Sequence, residues 1–73
     1  MKTYGKVSRT KAGRWMVAAR PFVARKVRHA FPGQMRLEDG RTSITPTDAH
    51  ARDLLWFSDR YPLEFEGDLE ADL

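Results

Sequence analysis

Proline and glycine interrupt this 73-residue chain at short intervals, and these interruptions limit the length of every helix or strand that it can form. They fall at Gly5, Gly13, Pro21, Pro32, Gly33, Gly40, Pro46, Pro62 and Gly67. The longest uninterrupted segment, residues 47–61, has room for one helix of about four turns. We therefore expect a small domain of short elements with a single thin core.

The first third of the chain predicts a hairpin followed by a helix. Residues rich in β-formers at 3–8 and 14–19 flank a turn-like segment at 9–13. Pro21 suits the first turn of a helix, which the Phe-Pro-Gly run at 31–33 would end. The apolar side chains of this helix share one stripe: Val23, Val27, Ala30 and Phe31.

The Asp-Gly pair at 39–40 predicts a second hairpin, because this dipeptide is among the strongest signals for a two-residue turn. A two-residue loop would place Glu38 opposite Arg41 as an ion pair. It would also place Met35 opposite Ile44 on an apolar face. Both consequences are chemically favourable, so we expect this register.

A second helix and a last strand are predicted after residue 44. Thr45 suits the cap position, with Pro46 in the first turn and Asp48 three residues after the cap. The predicted inward face comprises Ala51, Leu54, Leu55, Ser58 and Tyr61, with Phe57 on its border. Pro62 ends the helix, and residues 63–66 alternate as a short strand.

The resulting order is ββαββαβ, which belongs to the α+β class. Two hairpins and a short C-terminal strand would pack with two helices in one small domain over residues 1–66. No periodicity continues beyond Gly67, so we expect residues 67–73 to be an acidic flexible tail or the start of a linker.

Charge is separated along the chain. Residues 1–41 contain eleven Lys and Arg against two acids, whereas residues 42–73 contain two against eight. The halves therefore carry +9 and −6 within a net charge of +3. One-sided positive charge attracts polyanions such as nucleic acid. The alternative is a solvated basic face that keeps a small domain soluble.

The sequence gives no support for catalysis, a cofactor or a metal. Neither the phosphate-loop pattern nor the dinucleotide glycine pattern occurs. His29 and His50 lie on different predicted helices, without cysteine and without zinc-site spacing. No apolar run approaches the roughly 20 residues of a membrane span, and no signal-peptide core is present. We expect a cytoplasmic protein that is not itself an enzyme and has no membrane partner.

Cations are concentrated at the tip of the first hairpin and on the outer side of the first helix. These candidate DNA-binding residues are Arg9, Lys11, Arg14, Arg25, Lys26, Arg28 and His29. Two adjacent basic elements of this kind suit phosphate contacts. No recognition-helix pattern is visible, so we expect little sequence selectivity.

Trp56 falls on the polar side of the second predicted helix, close to Arg60. An exposed tryptophan indicates either a partner surface or a platform for base stacking. The nearby acids Asp53 and Asp59 repel phosphates, which favours protein docking through Trp56 and Arg60. Alternatively, the last strand or the stems of Arg52 and Arg60 cover the ring.

The run Ala-Arg-Asp-Leu-Leu-Trp-Phe-Ser-Asp-Arg-Tyr-Pro-Leu at residues 51–63 resembles the N-terminal segment of Swi/Snf-type DNA helicases of bacteriophages and some bacteria. Further pieces correspond upstream, at Tyr4 to Val7, Trp15, Phe31 with Pro32, and Gly40 to Ile44. The resemblance covers residues 4–65. In that family the segment precedes a two-lobed ATPase, and it is similar in position to the HARP element of annealing helicases, which helps engage DNA.

The resemblance implies a non-catalytic accessory module that binds the DNA backbone for an ATP-dependent helicase. This chain lacks the motor, which would act in cis or in trans in a bacterial host cell. The rival interpretation is a protein–protein docking module that uses the Trp56 surface and does not bind DNA directly.

Overall fold

The computed structural model describes residues 3–73, which form one mixed five-stranded sheet and three helices. The elements are β1 (Gly5–Arg9), β2 (Trp15–Ala19), α1 (Pro21–Ala30), β3 (Met35–Arg36), β4 (Thr42–Ile44), α2 (Asp48–Arg60), β5 (Leu63–Phe65) and α3 (Leu69–Asp72). The predicted α+β class is confirmed. The third helix is an addition to the predicted order.

The strands lie in the order β3-β4-β2-β1-β5. All neighbours are antiparallel except β1 and β5, which run parallel with Gly5 opposite Leu63 and Val7 opposite Phe65. The last strand therefore adds to the sheet beside the first.

One face of the sheet carries the core, as the two-residue period of its strands requires. Val7, Trp15 and Val17 are buried on this face, whereas Lys6 and Ala18 alternate to the opposite face. Both long helices add apolar side chains to the same core: Val23, Val27 and Phe31 from the α1 segment, and Ala51, Leu54 and Phe57 from α2. The outer sides of α1 and α2 remain exposed and form the surfaces described below.

The predicted two-residue loop of the second hairpin is wrong. The Leu37 N–H donates to the Arg41 carbonyl at 2.8 Å, so the loop contains the three residues 38–40. Gly40 adopts a φ of 90°, and the Gly40 N–H donates to the Leu37 carbonyl at 3.0 Å. A type I′ turn would need positive φ at Asp39 as well, but none of the described non-glycine residues has it. The three-residue alternative places only the glycine in the left-handed region.

This loop shifts the predicted register by one residue. Met35 lies opposite Ser43 instead of Ile44, and its side chain is 59% exposed. The ion pair at the turn also differs, because Arg41 contacts Asp39 at 2.6 Å and not Glu38. A one-residue slip moves each side chain to the other face, so the expected apolar pair is absent.

The second helix begins later than predicted. Thr47 is the cap, and its hydroxyl accepts a hydrogen bond from the His50 N–H at 3.1 Å. Thr45 instead follows β4, and its N–H donates to the side-chain oxygen of Gln34 at 2.9 Å. Phe57, placed on the border of the inward face, is only 2% exposed and belongs to the core.

The C-terminal segment differs from the expected flexible tail. Leu69–Asp72 forms a short helix, and Leu69 is 3% exposed within the hydrophobic core. Leu73, four residues later, packs against the same core. Asp72 accepts a hydrogen bond from Arg9 at 2.6 Å. Two leucines one helical turn apart thus hold an otherwise acidic segment against β1.

Candidate nucleic-acid interface

The predicted DNA-binding residues occupy three separate places on the structure. Arg9, Lys11 and Arg14 lie at the end of the first hairpin. Arg25 and Arg28 face the second hairpin across a groove. Lys26 and His29 line a different groove, between α1 and α2.

At the first hairpin, two of the three cations are engaged within the chain. Arg9 forms an exposed ion pair with Asp72 at 2.6 Å. Arg14 is half-buried and donates several hydrogen bonds. Lys11 is exposed and has no ion pair among residues 3–73. The hairpin tip therefore offers less cationic surface than its sequence suggests.

Arg14 acts as a clip between β2 and β4. Its Nε donates to the Ser43 hydroxyl at 2.6 Å, and its Nη2 donates to the Ser43 carbonyl at 2.8 Å. Its Nη1 donates to the Thr45 hydroxyl at 3.1 Å. The strand register produces this arrangement, because Trp15 lies opposite Ile44 and Arg14 therefore lies beside Thr45. Most of its donors are occupied before any phosphate could approach.

The largest concentration of arginine lies between α1 and the second hairpin. A groove of about 330 Å³ has Ala18 and Ala19 in its lining, with Arg25 and Arg28 on one side and Arg41 on the other. A smaller adjoining depression is lined by Arg28 and Arg36. We call Arg25, Arg28, Arg36 and Arg41 the arginine surface.

Sequence reasoning missed Arg36 and Arg41 as members of this site. Both were counted in the basic half of the chain, but only packing of the second hairpin beside α1 brings them to Arg28. The one sequence signal for their place in the site was that both arginines belong to a hairpin that directly follows a basic helix. Arg28 lines both depressions and is therefore the centre of the surface.

One carboxylate belongs to the lining of this surface. The backbone N–H of Arg41 donates to Asp39 at 3.1 Å and is the main cause that lowers the pKa of that carboxyl, with the Arg41 side chain adding to it. Asp39 thus stays ionised and offsets one of the four guanidinium charges, which leaves a net +3. Within residues 3–73, Arg25, Arg28 and Arg36 form no ion pair.

The second basic feature is a groove of about 400 Å³ between α1 and α2, which we call the interhelical groove. It is lined by Lys26, His29, Ala30, Trp56, Phe57, Arg60 and Tyr61. The Lys26 ammonium lies 5.4 Å from the centre of the Tyr61 ring. The Arg60 guanidinium lies 5.1 Å from the centre of the Trp56 ring. Cations and aromatic rings therefore alternate along this groove.

Trp56 is 58% exposed, so the prediction that it points away from the core is confirmed. The groove brings it together with Lys26 and His29, which the sequence assigned to a different site. Further rings continue from the groove, because Tyr61 contacts Tyr4 and Tyr4 contacts Phe22, with centroids 6.1 and 5.8 Å apart.

Among residues 3–73, no group of three or more histidine or acidic side chains is placed to hold a metal ion. No helix in that range is long and apolar enough to cross a membrane. Comparison of the chain with family models, curated proteins and solved structures finds no match. Its function must therefore be inferred from its own surfaces.

Proposed function

We propose that this chain is a non-catalytic DNA-binding module that contacts the phosphate backbone with little sequence selectivity. The observation that carries the proposal is the arginine surface. Two successive elements, α1 and the second hairpin, place four arginines around adjoining depressions that contain one carboxylate.

The chemistry of this surface suits phosphates. Guanidinium groups present several N–H donors in a plane and pair with phosphate oxygens in a two-pronged geometry. Arg25 and Arg28 lie one turn apart on α1, so both reach the same groove. Phosphate contacts fix a protein on DNA without reading sequence, which is why we expect similar affinity for different sequences.

The resemblance to the N-terminal segment of Swi/Snf-type helicases supports a role for this DNA binding as an accessory to a helicase. The module would hold DNA for an ATP-dependent helicase motor, in cis or in trans, in the cytoplasm of a bacterial host cell. ATP hydrolysis and translocation would belong to the motor, and the module would contribute affinity for the substrate.

The test is the salt dependence of duplex binding. Each phosphate contact contributes a slope of about −0.9 to log affinity against log salt, so four arginines, of which Asp39 offsets one, predict a slope of about −3 to −4. Arg28→Gln should weaken binding and reduce the slope by about 1. Fluorescence anisotropy with a labelled duplex at several salt concentrations measures both quantities.

Arg52→Gln is the matched control, because Arg52 is an exposed arginine outside the arginine surface. It removes the same charge but should change the slope little. Equal effects of the two variants would mean that only net charge matters, and absence of binding to both duplex and single-stranded DNA by the unmodified chain at low salt would refute the proposal.

A second candidate function is protein docking through Trp56 and Arg60, which the exposure of Trp56 favours. In that case Trp56→Ala would leave every DNA affinity unchanged and would impair association with the motor. Co-purification of the variant with the motor domain, compared with its DNA titration, separates this function from the first.

A further inference from the structure

We infer that the interhelical groove binds unpaired bases of single-stranded DNA by stacking, so that the module prefers single strands over duplex. This inference rests on the proposed DNA-binding function and names the form of DNA that the protein selects. Three properties of the groove support it: its exposed ring, its charge and its position beside the arginine surface.

The exposed ring is Trp56, which is 58% exposed although tryptophan is among the residues most strongly driven to burial. Bases within a duplex stack on one another and present only their edges, whereas a single strand presents base faces. Base–aromatic stacking accepts any base, because every base has a π-face. A groove bordered by Trp56 and Tyr61 therefore suits a single strand without requiring a sequence.

The positive charge of the groove favours a polyanion over a partner whose surface is itself positively charged. Its lining contains Lys26 and Arg60 together with His29, and it contains no acid. Asp53 and Asp59 lie close to Trp56 in sequence, which favoured protein docking, but neither lines the groove. The charged groups in the lining itself are therefore cations, and the two acids act on a bound phosphate only from outside the groove.

The position of Arg60 over the Trp56 ring also suits this ligand. Its guanidinium carbon lies 5.1 Å from the Trp56 centroid, so the cation contacts the ring through its face. A guanidinium over a ring keeps N–H groups in its own plane that can donate to a phosphate. One side chain can thus hold a phosphate beside the ring that holds the base.

The groove and the other basic surface border the same helix. Lys26 and His29 line the groove from α1, and Arg25 and Arg28 line the arginine surface from α1. A strand whose bases enter the groove can therefore cross α1 and place its phosphates on the arginines. This shared helix distinguishes the groove from an isolated aromatic patch.

The test compares a labelled oligothymidylate of about ten nucleotides, which forms no duplex, with a duplex of similar length. Trp56→Ala should lower affinity for the single strand by about 5- to 150-fold, and should leave duplex affinity nearly unchanged. Trp56→Phe, which keeps a ring, should recover part of the loss.

Met35→Ala is the matched control, because Met35 is 59% exposed, apolar and outside the groove. Intrinsic fluorescence gives a second readout that needs no variant. Trp15 is only 6% exposed, so quenching by the single strand would report on Trp56.

The outcomes separate this inference from the proposed function. If Arg28→Gln weakens binding to both forms of DNA while Trp56→Ala leaves single-strand affinity and quenching unchanged, the groove belongs to a protein partner and only the inference fails. If the unmodified chain binds neither form of DNA at low salt, both fail. Equal losses for both forms in Trp56→Ala would likewise overturn the preference for single strands.

Discussion

Replacing Arg14 with lysine separates a structural role from a DNA-binding role, because the substitution keeps the charge and removes the planar fork. The guanidinium donates three hydrogen bonds, to the hydroxyl and carbonyl of Ser43 and to the hydroxyl of Thr45. A lysine ammonium cannot reach three acceptors in this planar arrangement.

The size of the effect follows from those bonds. Each is worth about 0.5–1.5 kcal/mol net, so their complete loss would cost about 1.5–4.5 kcal/mol. Ser43 is buried, and water replaces its lost partner poorly. Since lysine retains part of one bond, we expect Arg14→Lys to lower the free energy of unfolding by about 1–3 kcal/mol. In a domain of this size, each kcal/mol lowers Tm by about 4–8 °C.

Urea unfolding followed by tryptophan fluorescence measures this loss, because Trp15 lies next to the clip and is buried. Arg20→Lys is the control: Arg20 is exposed, and its side chain makes no hydrogen bond or ion pair within residues 3–73. It should change stability by less than about 0.5 kcal/mol. Unchanged stability in Arg14→Lys would refute the clip and leave the Arg14 charge available to the DNA site.

Three further predictions concern the turn, the sheet and the last helix. Leu69→Ala should destabilise the domain by about 2–5 kcal/mol in urea unfolding, because it removes a core side chain. Gly5→Ala should cost about 1–3 kcal/mol by the same measurement, because an added Cβ would lie 2.5 Å from the Ala18 carbonyl oxygen. Asp39 should titrate in NMR with a pKa below the ordinary value of an aspartate, because the Arg41 backbone N–H and side chain favour its ionised form. Its folded-state pKa is lowered, so its contact with Arg41 contributes stability above the unfolded-state pKa and loses it as pH falls through the folded-state pKa.

Each of these has a result that contradicts it. Asp72→Asn is the control for Leu69→Ala, because it removes only an exposed ion pair and should lower the free energy of unfolding by less than about 1 kcal/mol. If Leu69→Ala lowers it no more than Asp72→Asn does, residues 67–73 are a flexible tail. If Gly5→Ala is as stable as the unmodified chain, β1 and β2 lie farther apart at this position than the structure shows. An Asp39 pKa at or above the ordinary value would exclude its contact with Arg41.

The two long helices and most strands follow from local chemistry. Pro21 and the Phe-Pro-Gly run at 31–33 bound α1 in both the prediction and the structure. The second hairpin shows where local signals stop, because an Asp-Gly pair is compatible with a two-residue loop or with a three-residue loop ending in glycine. Pairing of β4 with β2 buries both Thr42 and Ile44, and that pairing is not encoded in the turn.

The candidate site was predictable only in its parts. The helical wheel correctly placed Trp56 on the exposed side of its helix, and the charge count located the basic half of the chain. The partners of each cation depend on contacts between distant segments, such as Arg14 with Ser43 and Arg9 with Asp72. Likewise α3 is too short for a periodic signal, so only the assembled core reveals why Leu69 is buried.

The position of β1 between β2 and β5 sets the order in which this protein can fold. β1 is the first strand of this sheet in chain order, but its parallel partner lies 58 residues further along, with Gly5 opposite Leu63. Pairing at such separation has a high loop-closure cost and slows folding relative to helical proteins of this size. Until residues 63–65 have been synthesised, one edge of β1 lacks its strand, and a two-stranded hairpin is marginally stable by itself. Completion of the sheet therefore waits for residues 63–65 and engages nearly all of the described residues at once.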